Sequence, residues 1–305
     1  MSRQGGLQLE PLLLLLAAGS FIGLIFPLTK LAGAEGLQPC TFAGLSAAGA
    51  SIVLLALVRL TGQRVTAAPA ELRYAAVAGQ FTFAIPFGTL AAVVPFAGSG
   101  IPAILQSLAP ITTLAIVYAM GLERPRFARA AGLAIGLAGV LLILASRGSE
   151  PGANPDALFW TALALITPAA LAIGNVYRSV AWPPGSNALP LACVTLAFAA
   201  AGLLLLALLL WLADLAAAPW QGLAQGWHLV LLQSLCTGIG YGFFFRLQQV
   251  GGPVYLSQIS YVNTAVGVGF AVIAFGEILP LTAWLAVALI FGGIALVTLT
   301  GRPQN

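Results

Sequence analysis

Ten runs of roughly twenty mostly apolar residues fill this sequence, and the segments between them are short. A helix that crosses a bilayer needs about 20 such residues. Breaks at charges, Gly/Pro clusters and short polar runs place helices at 11–31, 40–60, 72–94, 99–120, 127–146, 157–180, 188–212, 227–248, 253–276 and 280–300. Only 7% of the 305 residues are charged and 60% are hydrophobic, whereas soluble domains run at about 25% charged. So little charge cannot cover a water-facing surface. The fold class expected is an all-α integral membrane protein of ten transmembrane helices, with the lipid bilayer as its standing partner. The first run has the outline of a secretory signal, with Arg3 followed by Leu12 to Leu16. It continues through Phe21-Ile22-Gly23-Leu24-Ile25-Phe26 and is read as the first span.

The basic residues are informative about orientation. With the N-terminus inside, Arg3, Arg59, Arg64, Arg73, Arg124, Arg126, Arg129, Arg178, Arg246 and Arg302 fall on the inner side, and only Lys30 and Arg147 fall outside. That asymmetry follows the positive-inside rule. It predicts a multi-pass protein of the cell inner membrane with both termini cytoplasmic. The pI near 9.3 reflects this bias, and no nucleic-acid partner is expected. Cys40, Cys193 and Cys236 lie in apolar runs without a CxxC or Cys/His cluster. No disulfide, metal or cofactor is expected from them, and no oligomeric state follows.

The halves of the chain resemble each other. Shifted by 154, Gly98 to Glu123 falls on Gly252 to Glu277, and each segment is followed by a proline (Pro125, Pro280) and a glycine (Gly139, Gly293). Near the start of each half, Phe21-Ile22-Gly23 matches Ala172-Ile173-Gly174, and Pro39 matches Pro190. The division expected is a first five-helix repeat at 1–146, a periplasmic linker at 147–156 and a second repeat at 157–305. Five spans is an odd number, so the second repeat enters the membrane upside down. Inverted repeats are typical of alternating-access transporters, whose site lies near mid-membrane between the halves.

Gly23 with Lys30, Pro39, Pro110 with Gly121-Leu122-Glu123, Gly132 and Gly139, and the second-half Gly276-Glu277 with Gly293 together resemble the drug/metabolite transporter superfamily, EamA family. The resemblance covers nearly the whole chain. It implies a basket of ten helices and small-metabolite transport, often export of amino acids or related solutes.

Candidate site residues come from polar groups misplaced in grease. Between Gly251 and Thr264 the chain carries Ser257, Gln258, Ser260, Tyr261, Asn263 and Thr264. On a helix these cover more than half of the circumference, at about 100° per residue. An unpartnered polar group in hydrocarbon costs several kcal/mol, so this arc faces other helices or a wet cavity. The matching helix places Gln106, Pro110 and Thr113 on one face, and Gln106 maps to Ser260. Gln80, Asn175, Gln233 and Tyr241 are further polar residues inside apolar spans. Substrate binding is expected from Gln80, Gln106, Asn175, Tyr241, Gln258, Ser260, Tyr261, Asn263, Thr264 and Lys30, with walls from Phe81, Phe83, Phe243 and Phe244. The competing reading is that these side chains hold helices together. Lys30 is read either as an interfacial snorkel or as an attractor for a substrate carboxylate, and Arg178 and Arg246 as topological charges. Pro27, Pro86, Pro110 and Pro168 each remove a backbone hydrogen bond inside a helix and are candidate hinges.

The function expected is a secondary carrier for a small-molecule substrate, an amino acid or similar amphipathic metabolite. No Asp or Glu lies mid-span, which disfavours a carboxylate proton relay and leaves Glu123 or Glu277 for any proton coupling. A lipid flippase is the alternative within transport. A membrane enzyme or a non-transporting subunit is the alternative outside it; the chain has no HExxH, no GxSxG and a single His.

Overall fold

A computed structural model describes residues 9–65, 68–121, 127–148, 156–257 and 259–299. The described residues form helices and connections, with no strand among them. The helices are α1 (Leu9–Gly23), α2 (Ile25–Ala34), α3 (Pro39–Leu60), α4 (Pro69–Gly79), α5 (Ile85–Ala97), α6 (Gly100–Gln106), α7 (Ala109–Ala119), α8 (Phe127–Gly148), α9 (Ala157–Leu163), α10 (Ile166–Ala181), α11 (Ala188–Leu212), α12 (Leu223–Ser257), α13 (Ile259–Ile273) and α14 (Leu281–Leu299); a π-helical turn, Gln80–Ala84, joins α4 to α5. Seven helical stretches are long and apolar enough to cross a bilayer: Glu10–Ala34, Pro39–Leu60, Pro69–Ala97, Gly100–Ala119, Leu158–Ala181, Ala188–Leu212 and Leu223–Val250. Three shorter apolar stretches, Ala134–Ala145, Ile259–Ile273 and Leu281–Gly293, occupy the remaining expected runs. The chain is a multi-pass membrane protein.

Several expected single helices are interrupted, and the interruptions follow the prolines. Pro27, Pro86, Pro110 and Pro168 each lie two or three residues after a break or a change of helical type. A proline has no N–H for the carbonyl four residues back. Pro86 leaves the Thr82 carbonyl free, the local helix widens into the π turn, and the Tyr241 hydroxyl donates to that carbonyl at 2.9 Å. At the α6/α7 break the Ser107 N–H pairs with the Ile104 carbonyl at 3.1 Å. The Ala103 carbonyl instead accepts from Thr264 Oγ1 at 2.9 Å. A different correction concerns Gly251-Gly252-Pro253. The helix does not end near 248 there; α12 continues to Ser257, and α13 begins at Ile259.

The contacts respect an exchange of the two halves. α3 packs on α11 and α8 on α14, so each of these elements meets its own repeat partner, and α6 packs on α13, which belongs to the span equivalent to its own. The α1 contacts with α12 and α13 are matched by those of α10 with α5 and α7. Small residues make this closeness available. A Cβ placed on Gly293 would lie 2.5 Å from the Gly132 carbonyl oxygen and 2.8 Å from the Gly136 nitrogen. All three cysteines are free and buried.

Candidate functional site

Where the halves meet, they wall a small cavity of about 50 Å³. The first half contributes Ile22, Thr82, Phe87, Gln106, Ala109 and Pro110; the second contributes Leu171, Asn175, Tyr241, Phe244, Leu256, Ile259, Ser260 and Asn263. Most of the wall is apolar. Gln106 and Pro110 flank the α6/α7 interruption, and Ser260 and Asn263 lie on α13. Gln106 is 4% exposed and Asn263 is 3% exposed. The side-chain carbonyl oxygen of each is buried without a hydrogen-bond partner among the described residues. Such a group forfeits about 1–3 kcal/mol of solvation.

A second cavity, about 530 Å³, is lined by Arg178, Ser179, Trp182, Gln248, Gln249 and Leu256. Leu256 belongs to both. Between the two lies Arg178, whose side chain is 0% exposed. Its Nη2 donates to Asn175 Oδ1 at 2.6 Å, its Nε to Gln248 Oε1 at 3.2 Å and its Nη1 to Thr82 Oγ1. The guanidinium carbon stands 4.7 Å from the centre of the Phe244 ring. Gly174 makes this arrangement fit, because its missing Cβ would lie 3.1 Å from the Phe81 backbone and 3.2 Å from Thr82 Oγ1. The π turn can therefore lie close against α10. Asn175 Nδ2 donates in turn to Thr113 Oγ1 at 3.3 Å.

Toward the other end of the helices the halves are tied by one carboxylate. Glu277 accepts from Lys30 Nζ at 2.6 Å, Ser99 N at 2.9 Å, Ser99 Oγ at 2.9 Å and Gly100 N at 3.1 Å. Gly98, at φ 76°, adopts the left-handed backbone of the tight turn that aims those two amides. Burial alone would raise the Glu277 pKa; the Lys30 ammonium, the two amides and the Ser99 hydroxyl outweigh it and hold the carboxyl below its ordinary value. Lys30 also stands 4.5 Å over the Phe275 ring.

Of the residues expected to bind substrate, Gln106, Asn175, Tyr241, Ser260 and Asn263 line the central cavity. Others lie elsewhere. Gln80 donates to the Phe198 carbonyl at 3.1 Å, Tyr261 packs its ring 5.3 Å from that of Phe291, Thr264 is spent on Ala103, and Lys30 is held by Glu277. Gln258 and Glu123 lie outside the described residues. Of the expected aromatic walls, Phe244 lines the cavity. Phe83 is instead buried behind Phe87, with ring centres 3.9 Å apart, and Phe243 pairs with Phe21. Arg178 was read from sequence as a helix-end charge. It is instead fully enclosed, because the π turn and α12 close over it.

A helical membrane protein whose two related halves enclose a polar-lipped cavity has the architecture of a solute transporter. The sequence matches the EamA-like transporter family over residues 9–145 and 158–299. It is 30% identical over 274 residues to the uncharacterized inner membrane transporter YedA of Escherichia coli (strain K12), covering 88% of this chain and 84% of that protein. A shorter match, 27% identical over 81 residues, covers 27% of this chain and 24% of the UDP-galactose transporter homolog 1 of Saccharomyces cerevisiae. One solved crystal structure is similar in fold over 93% of this chain and 96% of its own, with a TM-score of 0.62 and 20% identity. The chain belongs to the EamA-like transporter family.

Proposed function

We propose that this protein is a secondary transporter of the inner membrane that exports an amino acid or a related amphipathic metabolite by alternating access. One observation carries the reading: two buried amide carbonyls, on Gln106 and Asn263, face the cavity between the halves without a donor among the described residues. A solute bearing N–H groups supplies those donors, and the Phe87 and Phe244 rings accept its apolar part. Five-helix repeats at 1–146 and 157–305, joined by a periplasmic linker at 147–156 and inserted in opposite senses, are supported by the exchange of contacts between the halves. Cytoplasmic termini are supported by the basic residues at the Arg178 end. On that orientation the larger cavity opens inward and the Lys30–Glu277 cluster shuts the outer side. A nucleotide-sugar substrate is disfavoured, because two phosphates want several buried cations and Arg178 is the one buried cation among the described residues.

The test is counterflow of labelled L-amino acids in proteoliposomes. Uptake by wild type, lost in Gln106→Ala and Asn263→Ala at normal expression, is the expected result. A wild type that moves none of them sinks the amino-acid assignment.

A further inference from the structure

Arg178 is a charge without a counter-charge. It is fully buried in an apolar span, and its donors end on two amides and a hydroxyl. No carboxylate among the described residues is within ion-pair reach. Glu10 is taken by Arg246 and Glu277 by Lys30, while Glu71 lies against Ser186. Removing a lone ion from water costs several kcal/mol even after relaxation, and neutral hydrogen bonds recover only part of this. A purely structural role would be served as well by a neutral side chain.

Its position argues for use. Two of its partners, Thr82 and Asn175, and the ring that it faces, Phe244, line the central cavity, while Arg178 itself and Gln248 line the larger one. A solute passing from one to the other meets the guanidinium. The planar fork of donors matches a carboxylate with two parallel hydrogen bonds.

We propose that Arg178 is the substrate's counter-ion, and that the solute carries a single carboxylate which displaces the Asn175 and Gln248 oxygens from the guanidinium. This deepens the transport reading and rests on it. One buried cation balances one anionic charge, so a monoanionic carboxyl group is the class selected. Gln106 and Asn263 then receive N–H groups elsewhere on the same molecule.

Acid and amide pairs test this: L-leucine with L-leucinamide, L-phenylalanine with L-phenylalaninamide, and phenylacetate with phenylacetamide. Melting of the purified full chain is measured with each, beside flux in proteoliposomes. At least one acid is expected to stabilise wild type and its amide is not. Arg178→Gln should weaken that acid about ten-fold or more, with Arg178→Lys, which keeps charge but loses the fork, falling between them. Equal stabilisation by acid and amide, an Arg178→Gln variant with wild-type acid affinity, or a wild type stabilised by none of the acids overturns the proposal. If Arg178→Gln does not fold, the acid/amide comparison on wild type and the lysine variant decide. The two readings fail differently. Flux of a neutral solute that Asn263→Ala abolishes leaves the carrier standing without the Arg178 assignment, whereas a wild type that moves no solute of any class removes both.

Discussion

Gln106 and Asn263 pay for their place in the cavity wall, and that makes each substitution informative twice, through stability and through flux. Replacing Asn263 with alanine removes a buried carbonyl that has no donor, so its desolvation penalty of about 1–3 kcal/mol is relieved. The expected outcome is a melting temperature at or above that of wild type with flux down by about ten-fold, as for loss of one to two hydrogen bonds to a solute. A large fall in melting temperature would instead mark Asn263 as a packing residue. Glu277 gives a second prediction at this scale. Its carboxyl is held below its ordinary value near 4.5, so its stabilising contribution is complete above that value. The contribution declines as pH falls through the lower folded-state value. Melting of wild type should therefore drop toward that of Glu277→Gln as pH is taken below 4.5, and the glutamine variant should lack that component. Parallel melting curves for the two would show that the Lys30 and Ser99 contacts contribute nothing.

At the scale of elements, Pro86 and Tyr241 act as a pair. The proline opens the Thr82 carbonyl and the tyrosine fills it at 2.9 Å, which fixes Thr82 beside Arg178. Tyr241→Phe leaves that carbonyl without a donor and should cost about 1–3 kcal/mol in unfolding free energy, measured by chemical or thermal denaturation; an unchanged value would mean that the widened turn satisfies itself. Helix placement was legible in the sequence because apolar run length is a local property. The four candidate hinge prolines were equally legible as positions of interruption. The continuation of α12 through Gly251-Gly252-Pro253 was not, since a Gly-Gly-Pro run reads locally as a break. Among site residues, Gln106 and Ser260 could be found because the repeat maps one to the other. Gln80 and Thr264 looked the same in sequence, yet packing turned them onto the Phe198 and Ala103 carbonyls. Arg178 was missed for the converse reason: its enclosure is made by the π turn and α12, far away in the chain. Gly174 was its one local sign, a residue without a side chain one turn earlier.

For the molecule as a whole, the two halves touch along α3–α11, α6–α13 and α8–α14, and any rocking of one half against the other must leave some of these contacts intact. The Gly293 contact with the Gly132 and Gly136 backbone is too close for a side chain. Gly293→Leu is expected to destabilise the protein by about 1–3 kcal/mol or more through overpacking, read as a lower melting temperature, and an unaffected melt would show that α14 moves freely from α8. The Glu277 cluster binds α2, the start of α6 and the segment before α14 together.

Leu256 sits on the boundary that both chambers share. A branched aliphatic side chain there offers neither chamber a polar group. Shaving it to alanine would merge the chambers and loosen the size limit on cargo; widening it to tryptophan would wall the larger chamber off while leaving its polar lining untouched.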